Sequence, residues 1–147
     1  MTNTIIVLPG DCIGPEITQE ALRVLDLLSI GYEIHEAGLG AAALRETGAP
    51  LAEETRVACL NATAILKAPV GDPAYDDAPI RPEAGLFELR KLLDVYINVR
   101  PAQYQNVDLV IVRELLGGLY YGTRGTRPDG TVFDTCEYHP SEVTRVV

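Results

Sequence analysis

The 147-residue chain is 47% apolar and 22% charged, a balance that fits one soluble globular domain of ordinary size. Its 21 acidic side chains against 12 basic ones leave a formal charge of −9. That argues against a nucleic-acid partner, whose affinity comes largely from basic groups meeting phosphate.

No apolar run is long enough to cross a bilayer, and the opening MTNTIIVLPGD lacks the basic segment and cleavage pattern of a signal peptide, so the expected location is the cytoplasm, away from membranes. Cys12, Cys59 and Cys136 lie far apart, with neither the paired spacing of a zinc site nor an even count for a disulfide framework. They read as reduced thiols.

Residues 4–8 (TIIVL) form a short β-branched run that predicts a buried strand, and PGDCIG punctuates it sharply. A helix follows: Pro15 suits its first position, Glu16 complements its positive start, and Ile17, Ala21, Val24, Leu25 and Leu28 recur on one face. Gly31 is expected to end it. Residues 32–36 (YEIHE) alternate as a half-exposed strand does, helical stretches follow at 41–47 and 52–61, and residues 62–67 (ATAILK) read as another core strand. Strands alternating with helices imply right-handed crossovers in a largely parallel sheet, hence the α/β class.

Residues 69–82 hold four prolines and several acids, a loop at the carboxyl end of a strand, where open α/β sheets often place function. Helical periodicity returns from Glu83 through Leu86, Leu89 and Leu93, ahead of a strand at 95–100 that Pro101 is expected to break, with a domain change there. Residues 108–113 (DLVIVR) predict a strand, Pro128, Asp129 and Gly130 a hairpin turn, and SEVTRVV the start of a helix capped by Ser141.

Three arginines, Arg90, Arg100 and Arg113, sit in otherwise apolar surroundings ahead of the run GGLYYG. Arginine grips carboxylates because its planar guanidinium offers a fork of donors and stays charged at neutral pH. Three of them entering a tyrosine-lined site point to a small polycarboxylate.

These segments together resemble the β-decarboxylating dehydrogenases, the isocitrate and 3-isopropylmalate dehydrogenase family. LPGDCIGPEI is similar to the family's opening LPGDGIGPE, RPEAGLFELRKLLDVYINVRP to its central helix and strand, VDLVIVRELLGGLYYG to its VRE…YxG segment, and FDTCEYHPSEVTRVV to the lead into its next helix. The resemblance implies a partial isopropylmalate-dehydrogenase-like fold: residues 1–100 as the first part of a cofactor domain, and residues 101–147 as the start of a second α/β domain that forms the substrate and dimer contacts. Family members are more than twice as long, and the catalytic lysine, the aspartates that hold Mg²⁺ or Mn²⁺ and most of the adenine-nucleotide loop are expected beyond this sequence. No metal ligand is therefore expected within it, and this chain alone is expected to show no dehydrogenation.

By the same resemblance, Arg90, Arg100 and Arg113 clamp the carboxylates of a malate, Leu86 with Phe87 faces its 3-substituent, Tyr120 is the general acid that returns a proton to the enolate, and Ile13 and Glu83 approach the nicotinamide ribose of NAD. The apolar Leu86–Phe87 pair favours an alkyl substituent, hence a 3-isopropylmalate-like substrate and a place in leucine biosynthesis. Tartrate, D-malate or isocitrate-type activity stays open, as does a non-catalytic short protein that binds anions or remains only as a folding remnant. Each residue has a blander role available. An arginine stem can cover apolar neighbours, Tyr120 can be an ordinary strand aromatic, Glu83 can complement a helix start, and Leu86 can face a core.

Gly117 and Gly118 are expected to allow close backbone approach to a ligand. Cys12 stands where the family has glycine, and a left-handed backbone there tolerates cysteine poorly. A homodimer is expected of the full-length form. For this chain, exposed sheet edges predict pairing with another chain.

Overall fold

The computed structural model describes residues 3–29 and 31–147, grouped by their contacts into two compact units, Met1–Leu93 and Asp94–Val147. In the first, β1 (Thr4–Leu8) is the middle strand of a parallel sheet, paired on one side with β2 (Glu33–Glu36) and on the other with β3 (Ala64–Lys67). The sheet is parallel because each strand is separated from the next by helix: α1 (Gly14–Leu28), then α2 (Ala41–Thr47) and α3 (Glu53–Asn61). β1 alternates its side chains between two covered faces. Ile6 and Leu8 join Leu39, Leu51, Cys59 and Leu89 in one core, while Ile5 and Val7 are buried on the opposite face.

Chain connections leave β1 toward β2 and return to β3 on the other edge, so the carboxyl ends of β1 and β3 flank the point where an α/β sheet opens a crevice. Into it run the β1–α1 turn, the loop after β3, and the start of α4 (Glu83–Leu92). α3 and α4 are tied by an Arg56–Glu88 ion pair. No helix is long and apolar enough to cross a membrane among the described residues.

The second unit is built on an antiparallel hairpin of β4 (Ile97–Tyr104) and β5 (Val107–Glu114), followed by a small hairpin, β6 (Arg124–Thr126) and β7 (Val132–Asp134), and a terminal helix, α5 (Pro140–Thr144). Asp129 Oδ1 accepts from the Thr131 N–H in the β6–β7 turn, and this bond holds its carboxyl below the usual range.

Several local expectations are corrected. Pro101 does not end β4 but lies inside it, opposite Val110. Tyr104 and Val107 flank a two-residue turn and form a hydrogen-bonded pair, so three residues back Pro101 falls at a site whose backbone polar groups point away from β5 and its missing N–H costs the ladder nothing. α1 stops at Leu28 with Ser29 left-handed at φ 49, before Gly31 is reached. β2 is exposed along its whole length rather than on alternate residues, because it is an edge strand. Of the expected apolar face of α1, Ile17, Val24 and Leu28 are exposed. His139, not Ser141, caps α5: its ring Nδ1 accepts from the Ser141 N–H while Glu142 Oε2 accepts from the His139 N–H.

Candidate functional site

In the first unit the crevice is organised by Asp11, a residue that sequence reading treated only as part of a turn. The residue is 4% exposed. Oδ1 accepts from the N–H groups of Ala41 (2.8 Å) and Ala42 (3.3 Å) at the start of α2, and Oδ2 from the N–H of Gly71 (2.9 Å) in the loop after β3. The Asp11 N–H in turn donates to Pro69 O at 2.9 Å. One buried side chain thus joins three segments at the carboxyl end of the sheet. Gly10, at φ +66, is required there, because a Cβ would lie 2.0 Å from Pro69 O.

Cys12 does adopt the left-handed region, φ 53, and its thiol reaches Gly71 O at 3.6 Å. The next residue, Ile13, is exposed at the N-cap of α1. Across the loop, Glu83 opens α4. A Cβ on Gly71 would come 3.1 Å from its Oε1, which accepts from Arg81 Nη2 at 3.1 Å, while its Oε2 is buried without a hydrogen-bond partner. A carboxyl oxygen removed from water and left without a donor is suited to receive a ligand hydroxyl, and a ribose supplies one. The residues present therefore fit the sugar of a dinucleotide.

α4 carries the remaining first-unit candidates on one stripe. Glu83, Leu86, Phe87 and Arg90 recur at helical spacing, while Gly85 and Leu89 turn to the core. A side chain on Gly85 would strike Pro50 O at 2.4 Å, which keeps this helix close. Leu86 is half-buried, and the Arg90 guanidinium lies 6.0 Å from the Phe87 ring centre. Lys67, at the end of β3, donates from Nζ to Ala68 O at 2.7 Å. Loss of hydration, with the Arg90 charge adding to it, holds its ammonium below the ordinary lysine range.

In the second unit, Arg100 and Arg113 share a face of the β4–β5 hairpin. Asn98 pairs with Arg113, and Arg100 stands two residues from Asn98 on the same strand face. Arg100 Nε donates to Asn98 Oδ1 at 2.5 Å, which ties its guanidinium to the residue paired with Arg113. Past β5 the chain folds back through Gly117 and a single 3₁₀ turn (Gly118–Tyr120), which brings the Tyr120 ring to 5.2 Å from the Arg113 guanidinium. A phenol placed beside a fixed cation can give up and recover a proton.

The two glycines are explained by another side chain of this protein rather than by a ligand. A Cβ on Gly117 would lie 3.1 Å from the Tyr138 ring, and one on Gly118, at φ +60, would lie 2.2 Å from the Tyr138 hydroxyl. Restricted hydration pushes the Tyr138 phenol up, and Cys136, Glu114 and Glu142 add to the effect. Its proximity to Gly117 was not signalled by spacing.

The predicted residues thus gather in two clusters: Ile13, Glu83, Leu86 and Arg90 in the first unit, and Arg100, Arg113 and Tyr120 in the second. Among the described residues no group of three or more His, Cys, Asp or Glu side chains could hold a metal ion.

A family model described as isocitrate/isopropylmalate dehydrogenase matches residues 4–147. The 3-isopropylmalate dehydrogenase of Zymomonas mobilis is 44% identical over 97% of this chain and 47% of its own length, and that of Maudiozyma exigua is 37% identical over 99% of the chain and 46% of its own. The chain spans about half the length of the curated relatives it matches. Among solved structures, the isocitrate dehydrogenase of Methylococcus capsulatus superposes with a TM-score of 0.84 at 26% identity, covering 99% of this chain and 45% of that one. The apo β-decarboxylating dehydrogenase of Thermococcus kodakarensis gives 0.74 at 28%, covering 99% and 43%. With the parallel sheet, the arginine-bearing hairpin face and these matches in agreement, the chain belongs to the isocitrate/isopropylmalate dehydrogenase family.

Proposed function

We propose that this chain supplies the substrate-gripping half of an NAD-dependent oxidative decarboxylation of a 3-substituted malate, most like 3-isopropylmalate in leucine biosynthesis. The observation that carries the reading is the hairpin face on which Arg100 and Arg113 lie together with Tyr120 against the Arg113 guanidinium. Forked donors on that face hold the carboxylates of the malate, with Arg90 on α4 as a third grip, so that positioning supplies part of the rate. Tyr120 returns a proton to the carbon that loses CO₂. Leu86 faces the 3-substituent and favours an alkyl group over a third carboxylate, because it offers that carboxylate no donor.

NAD would supply, when bound, the acceptor for the hydride that leaves C2. Glu83 and Ile13 are the residues proposed to orient it, with the buried Oε2 receiving a ribose hydroxyl. Mg²⁺ or Mn²⁺, the catalytic lysine and the metal aspartates belong to the part of the family fold outside this sequence. Residues 1–100 then act as the opening of the cofactor domain and 101–147 as the opening of the substrate and dimer domain, in a cytoplasmic homodimer.

The test is a chimera in which this chain replaces the matching half of the Zymomonas mobilis enzyme, assayed with NAD and Mg²⁺ or Mn²⁺ on 3-isopropylmalate, D-malate, tartrate and isocitrate. The expected result is the highest kcat/KM on 3-isopropylmalate. Equal or greater turnover of isocitrate would defeat the assignment. A second reading, dicarboxylate binding without chemistry, needs only the arginine-bearing face of the β4–β5 hairpin. Calorimetric binding of a malate by a chain whose active chimera cannot be obtained would support it.

A further inference from the structure

We infer that Glu114 is the positioning residue that sets Tyr120 against Arg113, a role that rests on the substrate-site reading above. Glu114 follows Arg113 at the end of β5, and neighbouring strand residues point to opposite faces, so Glu114 works from behind the face that carries the arginines. Its side chain is only 13% exposed. Oε1 accepts from the Leu116 N–H at 2.9 Å and Oε2 from the Gly117 N–H at 2.8 Å, a charge-assisted pair that turns the chain sharply after the strand.

The carboxylate is itself fixed. Arg145 Nη2 donates to Oε1 at 3.3 Å, while the same guanidinium pairs with Asp94 at 3.3 Å and stacks 4.4 Å from the Tyr96 ring centre. Leu115 N–H donates to Tyr96 O at 2.8 Å, closing the strand end against the same support.

The segment that carries Tyr120 continues directly from that turn. Gly117 is extended at φ −135, Gly118 is left-handed against Tyr138, and the Gly118 N–H donates to Glu137 O at 3.1 Å. The 3₁₀ turn closes with the Tyr121 N–H on Gly118 O at 3.2 Å, and the Gly122 N–H reaches the same oxygen at 3.0 Å. Freed from Glu114, the Leu116 and Gly117 amides would face no fixed acceptor, and the turn could settle in other conformations. Glu114 touches no substrate in this scheme. It determines where the phenol stands relative to the Arg113 guanidinium.

The test uses the isotope-labelled 147-residue chain and reads the ring-current displacement of the Arg113 side-chain protons, with Y120L as the zero reference. E114Q keeps the shape but replaces one acceptor oxygen with an NH₂ group, so one of the two amides loses its partner. The displacement is expected to fall most of the way to the Y120L value while the β4–β5 amide signals keep their positions. E114D keeps the charge facing Arg145 but is one methylene too short to reach both amides. It is expected to show the same loss, and it decides the question should E114Q disturb the hairpin.

Full displacement retained in a folded E114Q, or in E114D, would overturn the proposal. The substrate reading fails separately. If R113Q leaves the preference of the chimera unchanged while E114Q still abolishes the ring-current displacement, Glu114 keeps its role and the carboxylate clamp does not.

Discussion

Replacing Asp11 with asparagine tests the idea that one buried carboxylate holds the crevice together. The parent side chain accepts three backbone N–H bonds, from Ala41, Ala42 and Gly71, on two oxygens. Asparagine has one oxygen. With that oxygen toward α2, its NH₂ faces the Gly71 N–H; flipped, it faces Ala41 and Ala42. Either way at least one buried donor opposes another donor, at about 1–3 kcal/mol, and the bonds that survive lose charge assistance worth roughly another 1 kcal/mol. A total of about 2–4 kcal/mol in a unit of this size corresponds to a drop of about 10–30 °C in its melting temperature. Circular dichroism melts measure the loss, and hydrogen exchange at Gly71 and Ala41 locates it. A D11N melt within about 2 °C of the parent would refute the reasoning, since it would mean that the carboxylate contributes no more than an ordinary surface group.

Three further outcomes follow from the same structure. Cys12 pays about 1–2 kcal/mol for its left-handed backbone, while glycine gives back roughly 0.5–1 kcal/mol in unfolded-chain entropy, so C12G should stabilise the chain by about 0.5–1 kcal/mol in urea unfolding. Lys67 is held below its ordinary value of 10.5, so the unfolded chain binds more protons than the folded one between the two pKa values. The charged lysine therefore costs stability at neutral pH, and the advantage of K67M over the parent should narrow as pH climbs toward 10.5 in paired denaturation curves. In a maleimide time course at pH 8, Cys12 and Cys136 should react quickly, while Cys59, 2% exposed and with its thiol pushed up by burial, should react only as the first unit opens.

Much of the first unit was legible because its elements announce themselves locally. TIIVL and ATAILK are short apolar β-formers and helical stretches lie between them, so a parallel sheet follows from alternation, although ATAILK contributes only Ala64–Lys67, with Ala64 and Lys67 exposed rather than in the core. What escaped the sequence depends on partners distant along the chain. Asp11 binds amides 30 and 60 residues away, and nothing in PGDCIG distinguishes such a carboxylate from a turn residue facing solvent. The glycines before Tyr120 correctly signalled a close approach, but its occupant, Tyr138, comes from the far end of the second unit. Glu114 adjoins Arg113, but strand alternation turns it away from the arginine face, and its amide partners exist only because the chain bends after β5.

Pro101 has a consequence for how the hairpin can grow. Its backbone faces away from β5, so the free edge of β4 presents donors at Val99 and Gln103 with a gap between them. An incoming strand meets that gap at the middle of its length and cannot continue the ladder. The free edge of β5, from Val107 to Glu114, contains no proline. Any strand joining this sheet is therefore directed to the β5 side, and the hairpin has one growing edge and one closed edge, set by a single missing hydrogen atom.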